Sequence, residues 1–184
     1  MTHLQRLHLA RNGLGRAPEK VAAGVSHLTH LKHLDLSGNG LSSHTLAACM
    51  ASMHELQTLD ISWEMQKPPP ATAFSAGLRA LMDGATLAGV TRLCLRHSAL
   101  HAVDCVILAA HVPAMPSLVF LDLSGNCIGT AGAGLLLRVL EGCAALQGVD
   151  MTGNNVDSND PSIACMLPKF RGSWGVSHRA LREL

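Results

Sequence analysis

The stretch LVFLDLSGNCI, from Leu118 to Ile128, determines the fold predicted for this chain. It carries leucine at its first, fourth and sixth positions, asparagine at its ninth and isoleucine at its eleventh. Leu121 and Leu123 are separated by one residue, so a β-strand would turn both side chains to the same side, into a core. Asn126 would then lie in the turn that ends the strand. The stretch therefore predicts a short strand with one buried face.

The same pattern recurs along the chain. LQRLHLARNGL (4–14) and LKHLDLSGNGL (31–41) match it closely, and a copy that begins at residue 146 matches it with substitutions. Two weaker copies begin at residues 56 and 90. The six copies start at residues 4, 31, 56, 90, 118 and 146, so the intervals are 27, 25, 34, 28 and 28 residues. A recurring period of this length indicates a repeat protein.

A helical segment is predicted after the strands. Leu46, Cys49, Met50 and Met53 recur at the three- and four-residue spacing of one helix face. One strand and one helix cannot bury their apolar faces alone, whereas six stacked units form a continuous core. The spacing therefore predicts an α/β solenoid with parallel strands inside the curve and helices outside. Similar helix faces are predicted for the fourth repeat by Val103, Ile107 and Ala110, and for the fifth by Ala133, Leu136 and Leu140.

These motifs resemble those of leucine-rich repeat proteins of the ribonuclease-inhibitor-like class, over almost the whole chain. The resemblance implies a right-handed horseshoe with parallel strands on the concave face and helices outside. It also implies that the ninth-position asparagines are buried and hydrogen-bond to neighbouring backbone as a ladder along the stack. A buried amide without such partners would cost about 1–3 kcal/mol. Glu64 and Ser98 stand at this position in the third and fourth repeats.

The pattern divides the chain into two parts. Residues 1–156 are predicted to form the six repeats, with a proline-rich loop inserted at 63–72. Residues 157–184 are predicted to form an irregular segment, and Leu181 and Leu184 resemble the opening of a further repeat. Because terminal repeats need a cover for their core, we expect the chain to be a fragment of a longer repeat protein or part of a larger complex.

Composition excludes several classes of function. The 184 residues include 14 Lys and Arg and 13 Asp and Glu, so the net charge is +1. So small a charge excludes nucleic-acid binding that relies on bulk electrostatic attraction. The sequence contains no apolar run long enough for a membrane helix and no basic-then-apolar signal peptide. Six cysteines without a signal peptide predict reduced thiols in a cytoplasmic, reducing compartment.

The strand residues between the core leucines are predicted to face outward and form the concave face. Aspartate recurs there, and the fourth repeat adds a basic cluster. Arginine beside an exposed aromatic residue is typical of the most energetic contacts in protein interfaces. The candidate partner-binding residues are Arg6, His8, Arg11, His33, Asp35, Asp60, Trp63, Arg92, Arg96, His97, Phe120, Asp122 and Asp150.

The sequence therefore predicts a non-catalytic protein–protein interaction module or scaffold subunit that binds protein partners through the concave face or the solenoid ends. The alternative is a regulator (inhibitor or activator) of an enzyme such as a small GTPase or a ribonuclease. The resemblance permits it, because repeats of this class occur in ribonuclease inhibitors and in activators of the small GTPase Ran. We expect no enzymatic activity, because no spacing pairs a nucleophile with an oriented base.

Two histidine-containing series have spacings that could hold zinc. One consists of Cys94, His97, His101 and Cys105, which supply the nitrogen and sulfur donors that zinc accepts. Cys94 would lie on a strand and Cys105 on a helix across the core, so we predict no metal site and no cofactor. The other series is His27, His30 and His33, which would be divided between the end of a helix and a strand.

Overall fold

The computed structural model describes residues 3–62, 78–83 and 85–166. In these residues six short strands form one sheet in chain order, and every neighbouring pair is parallel. Helical segments alternate with the strands, which confirms the predicted α/β solenoid. The strands are β1 (Arg6–His8), β2 (His33–Asp35), β3 (Thr58–Asp60), β4 (Arg92–Cys94), β5 (Phe120–Asp122) and β6 (Gly148–Asp150).

The middle residue of each strand belongs to the core side of the sheet. The register pairs Leu34 with Leu7 on one side and with Leu59 on the other, and the same pairing continues to Val149 in β6. The middle residues of β2 to β5 are at most 1% exposed. Because successive side chains of a strand point to opposite faces, the first and third residues of each strand lie on the face away from the core.

The helices follow the strands along the chain. Pro18 occupies the first turn of the first helix, where its missing N–H group leaves no hydrogen bond unmade. Among the described helices, none combines the length and the apolar character that a membrane span requires. The helices are α1 (Pro18–Val25), α2 (Ser43–Met50), α3 (78–82), α4 (Ala102–His111), α5 (Gly129–Leu140) and α6 (Pro161–Ala164).

The predicted apolar face is correct for α2 and α5, whereas in α4 it is correct for Ile107 and wrong for Val103 and Ala110. In α5, Ala133, Leu136 and Leu140 are at most 1% exposed, as predicted. In α4, Val103 is 54% exposed, whereas Asp104 is 1% exposed. The reason is local, because the Asp104 carboxylate accepts a hydrogen bond from the backbone N–H of His101 at 2.9 Å and so caps the helix start. This cap turns Cys105 and its neighbours at 107 and 108 inward, and Ala110 outward.

An asparagine ladder connects the stacked turns. The side-chain oxygen of Asn126 accepts from the N–H groups of Ser98 and Leu100, at 2.8 and 3.1 Å. Its amide nitrogen donates to the carbonyls of Leu95 and Leu123, at 2.9 and 2.7 Å. Three of these four bonds join the fifth repeat to the fourth, and the bond to Leu123 stays within the fifth. Asn39 and Asn154 make corresponding bonds in the second and sixth repeats.

The ladder is interrupted at the fourth repeat. Ser98 stands at the asparagine position, and its short hydroxyl side chain donates only to the Arg96 carbonyl of its own repeat, at 3.2 Å. A different bond joins the third and fourth repeats, because the Arg96 N–H donates to the Ser62 hydroxyl at 3.1 Å. Glu64 and the predicted insertion at 63–72 lie outside the described residues, as does the chain after residue 166.

An ion pair joins the end of α4 to the residues that follow α3. His111 Nε2 lies 2.7 Å from an Asp83 oxygen, and its Nδ1 lies 2.7 Å from the Ile107 carbonyl. These two contacts, the backbone contact first, raise the pKa of His111. A His with a raised folded-state pKa stabilises the fold fully below the pKa of an unfolded His, about 6.5. That stabilisation is lost as the pH rises through the folded-state value.

We therefore expect Asp83→Asn to lower the pKa of His111 without returning it fully to the ordinary value, because the Ile107 carbonyl remains. Imidazole NMR shifts recorded across a pH series measure this change. Glu55→Gln is the control, because it removes a carboxylate that contacts His30 at 2.7 Å in another repeat and should leave the pKa of His111 unchanged. An unchanged His111 titration in the Asp83→Asn variant would show that the Asp83 contact is not formed in solution.

Candidate functional site

The first and third residues of the six strands form a continuous surface opposite the core, which we call the open face. The strand register aligns these residues in two rows across the sheet. Nine of the predicted partner-binding residues lie in these rows. The first row is Arg6, His33, Thr58, Arg92, Phe120 and Gly148, and the second row is His8, Asp35, Asp60, Cys94, Asp122 and Asp150.

The four other predicted residues lie elsewhere. Arg96 lies two residues beyond Cys94 and is exposed, so it extends the open face at the end of β4. Arg11 and His97 lie in the turns that follow β1 and β4, and both are exposed. Trp63 lies outside the described residues.

The aspartates of the second row are held by the turns that follow their strands. In each case one carboxylate oxygen accepts the N–H of the residue two positions later, and usually its hydroxyl as well. Such bonds fix the side-chain direction of a residue in a turn. The bonds run to Asp35 from Ser37 at 3.0 and 2.7 Å, to Asp60 from Ser62 N–H at 3.0 Å, to Asp122 from Ser124 at 3.1 and 2.7 Å, and to Asp150 from Thr152 at 2.9 and 2.8 Å.

The fourth repeat departs from this pattern, with a neutral residue in place of the aspartate and a positive one in the following turn. Cys94 replaces the aspartate, and Arg96 replaces the serine two positions later. The Arg96 guanidinium lies 3.7 Å from the second oxygen of Asp60 and 3.5 Å from that of Asp122. Arg96 therefore bridges the two aspartates on either side of Cys94. Because its side chain is 48% exposed, this bridge is worth at most about 1 kcal/mol and serves mainly to hold the guanidinium in place.

Cys94 is a poor nucleophile in this environment. Burial, followed by the charges of Asp60 and Asp122, raises the pKa of its thiol to about 11, although Arg92 opposes the shift. Only the thiolate attacks electrophiles or binds metals, and it is scarce at neutral pH. Burial likewise raises the pKa of Cys105 to about 12.

A cation–aromatic contact lies in the first row beside this cluster. The Arg92 guanidinium carbon is 4.2 Å from the centre of the Phe120 ring, and the two residues are register partners on β4 and β5. Arg92 is exposed and Phe120 is half-buried. At an exposed site such a contact is worth about 0.5–1 kcal/mol, and it holds a flat apolar surface and a positive charge side by side.

The residues of the two possible zinc series are divided as the strand and helix pattern predicted. Cys94 lies in β4, whereas Cys105 lies in α4 and belongs to the core. His27 follows α1, and His33 lies in β2. In the part of the chain that the structure describes, no three His, Cys, Asp or Glu side chains are grouped so as to hold a metal ion.

Comparisons with known proteins agree with this architecture. Residues 1–16, 27–43 and 114–137 match the family described as Leucine Rich repeat. Human protein NLRC5 is 30% identical over 174 residues, covering 84% of this chain, and the zebrafish transforming growth factor beta activator LRRC33 is 42% identical over 59 residues, covering 32% of it. The chain spans about 9% of the length of either relative.

A solved structure gives the same result for the fold. The C-terminal domain of tropomodulin from Caenorhabditis elegans superimposes with a TM-score of 0.54 at 14% identity, covering 71% of this chain and 80% of that domain. At that identity the likeness concerns the fold alone. The repeated motif, the parallel sheet, the asparagine ladder and these matches together identify the chain as a leucine-rich repeat protein.

Proposed function

We propose that this chain is a non-catalytic protein-interaction module of the ribonuclease-inhibitor-like class and that it binds a protein partner through the open face. The observation that carries the proposal is the group of Arg92, Phe120, Arg96, Asp60 and Asp122 at the centre of the sheet. It combines an exposed arginine stacked on an aromatic ring with a fixed arrangement of charges. Arginine and aromatic residues near the middle of an interface contribute most of the binding energy.

Rigidity supports the same proposal. The strands that carry these side chains are held by the parallel sheet, and the aspartates are held by their turns. The ordering of side chains is a main cost of association, and here little of it remains to be done on binding. Asp122 is only 6% exposed, so its role is to position Arg96, whereas Arg92 and Arg96 are exposed and would contact the partner.

We propose a cytoplasmic location and a place in a larger assembly. All six cysteines are free thiols, which is the usual state in a reducing compartment. The relatives are far longer than this chain, so further repeats or domains would act beside it. Imaging of a fluorescent fusion tests the location.

The experiment compares two double variants on opposite sides of the sheet. Arg92→Ala with Phe120→Ala removes the stacked pair from the open face. Arg138→Ala with Leu135→Ala removes an arginine and an apolar residue from the exposed side of α5 and is the matched control. Each tagged protein is used to capture partners from a native extract, and the affinity of the partner recovered in stoichiometric amount is then measured with purified components.

We expect the open-face variant to bind that partner about tenfold more weakly or worse, because it loses a central arginine and aromatic contact. The control should bind like the unaltered chain, and circular dichroism should show that both variants are folded. Loss of binding in the control with retention in the open-face variant would contradict the proposal. If the recovered partner is a GTPase or a ribonuclease, a change in its rate on addition of the chain would establish the regulator alternative.

A further inference from the structure

A polar pocket of about 190 Å³ lies at the ends of the first four strands, beside the open face. Its walls come from four successive repeats. Two arginines approach it from different repeats, with serine hydroxyls between them. The lining residues are Arg11, Ser37, Gly38, Ser62, Arg96 and His97.

Two of these residues occupy a backbone conformation that favours glycine. Arg11 and His97 have φ values of +58° and +53° at the turn position where Gly38, Gly125 and Gly153 have values between +66° and +70°. An L-residue side chain is strained in this left-handed region. Strained residues of this kind concentrate at ligand-binding and catalytic sites. Ala99 and Asn155 share this backbone region away from the pocket, so what distinguishes Arg11 and His97 is that both line it.

The packing of these two side chains defines the pocket. A Cβ atom built on Gly38 would lie 2.9 Å from Cγ of Arg11, so the Arg11 side chain crosses the turn of the second repeat. One built on Gly125 would overlap the His97 ring, so His97, which lines the pocket, packs against the turn of the fifth repeat. Glycine at 38 and 125 thus makes room for the larger residues at 11 and 97.

The donor groups of the pocket suit a carboxylate. Arg11 and Arg96 supply guanidinium groups, which bind carboxylates through paired hydrogen bonds. The Ser62 hydroxyl accepts the Arg96 N–H at 3.1 Å, so its own proton remains a donor. Asp60 and Asp122 hold the Arg96 guanidinium in place, which lowers the cost of ordering it around a ligand.

The same aspartates limit the charge of the ligand. The two carboxylates beside Arg96 together offset the positive charges of Arg11 and Arg96. Direct hydrogen bonds to the guanidinium groups, rather than net charge, therefore hold the ligand, and a singly charged group is favoured over a doubly charged phosphate. We propose that the pocket binds the carboxylate of an acidic side chain presented by the protein partner. This inference rests on the proposed function and names the chemistry that the partner would supply at the edge of the open face.

The test uses NMR titration of the whole chain with acetyl-tetraglutamate amide, with the tetraglutamine peptide as the uncharged control. We expect the backbone amide signals of Gly38, Ser62 and Arg96 to shift with the acidic peptide alone. Arg11→Gly should weaken the binding about tenfold, since one charge-assisted contact is lost, and Arg11→Lys should restore part of it. Arg11→Gly also removes the left-handed strain, so its melting temperature should not fall.

Ala99→Gly is the matched control, because Ala99 has a φ of +53° and does not line the pocket; it should bind the acidic peptide as the unaltered chain does. Equal binding by Arg11→Gly and the unaltered chain would overturn the proposal. Tighter binding of inorganic phosphate at the same residues would overturn the carboxylate assignment. The Arg92→Ala, Phe120→Ala protein should still bind the peptide, so a failure of the pocket is distinguishable from a failure of the open face.

Discussion

Asn126→Ala is expected to destabilise the protein by about 3–5 kcal/mol, because it leaves several buried backbone groups without hydrogen-bond partners. The Asn126 side chain is 3% exposed and serves two N–H groups and two carbonyls at distances between 2.7 and 3.1 Å. Each buried group left without a partner costs about 1–3 kcal/mol, although water entering the gap would recover part of the loss. Such a loss is a large share of the stability of an ordinary domain, about 5–15 kcal/mol.

Urea unfolding followed by circular dichroism measures the effect, and two variants make it specific. Asn12→Ala removes an asparagine at the same motif position, but Asn12 is exposed and its side chain donates only to the Leu9 and Ala10 carbonyls of its own turn. It should cost less than about 1 kcal/mol. Asn126→Asp preserves the shape and the acceptor but sets a second oxygen against the two carbonyls in a buried site, so we expect a loss at least as large as that of Asn126→Ala. A stable Asn126→Asp protein would show that the two carbonyl bonds contribute little.

The strands and the ladder could be predicted because their determinants are local. Leu121 and Leu123 mark a strand by alternation alone, and six copies of one pattern leave a single way to bury them. The ladder was implied by the family resemblance, and the motif places Ser98 at its position in the fourth repeat; the interruption there is a finding of the structure. The bond from the Arg96 N–H to the Ser62 hydroxyl, which joins the third and fourth repeats, could not be predicted. The two residues are 34 positions apart and share no local pattern.

The α4 face shows where periodicity fails. Val103, Ile107 and Ala110 have a suitable spacing, but of these three only Ile107 is buried, together with Asp104, Cys105 and Leu108. Asp104 determines which face of α4 is buried. Its carboxylate accepts a hydrogen bond from the His101 N–H at the helix start, and the residue is itself buried. A prediction from apolar spacing places every aspartate on the exposed face of a helix. Where an aspartate is buried as a cap, the observed buried face therefore differs from the predicted one.

The candidate site was predictable as a surface and not as a set of contacts. Strand alternation places Arg92, Phe120 and Asp60 on one face without further information. The position of Arg96 between two aspartates depends on the register of three strands, which the structure supplies. The serines and the glycine of the pocket were absent from the candidate residues because they belong to the common repeat motif. The arginine and histidine at glycine positions were the available signal for that pocket.

Gly132→Val is expected to destabilise the protein by about 3 kcal/mol, because α5 packs on α4 at that residue without space for a side chain. A Cβ atom on Gly132 would lie 2.8 Å from Cγ2 of Ile128 and 3.0 Å from both the Ala102 Cα and the Cys105 Sγ. The Ala102 atom belongs to the backbone of α4, and the Ile128 side chain is β-branched and stiff. Relief therefore requires that the two helices move apart, which disturbs the cores of two repeats.

Gly134→Ala is the matched control in the same helix, and its expected effect has the opposite sign. A Cβ atom there would lie 3.5 Å from the Ser162 hydroxyl and 3.6 Å from Cδ1 of Ile163, which are ordinary contact distances. Replacing a helical glycine by alanine should then stabilise the protein by about 0.5–1 kcal/mol. Urea unfolding of both proteins measures the difference. If Gly132→Val does not destabilise the protein, the close packing of α4 and α5 does not limit the residue at 132.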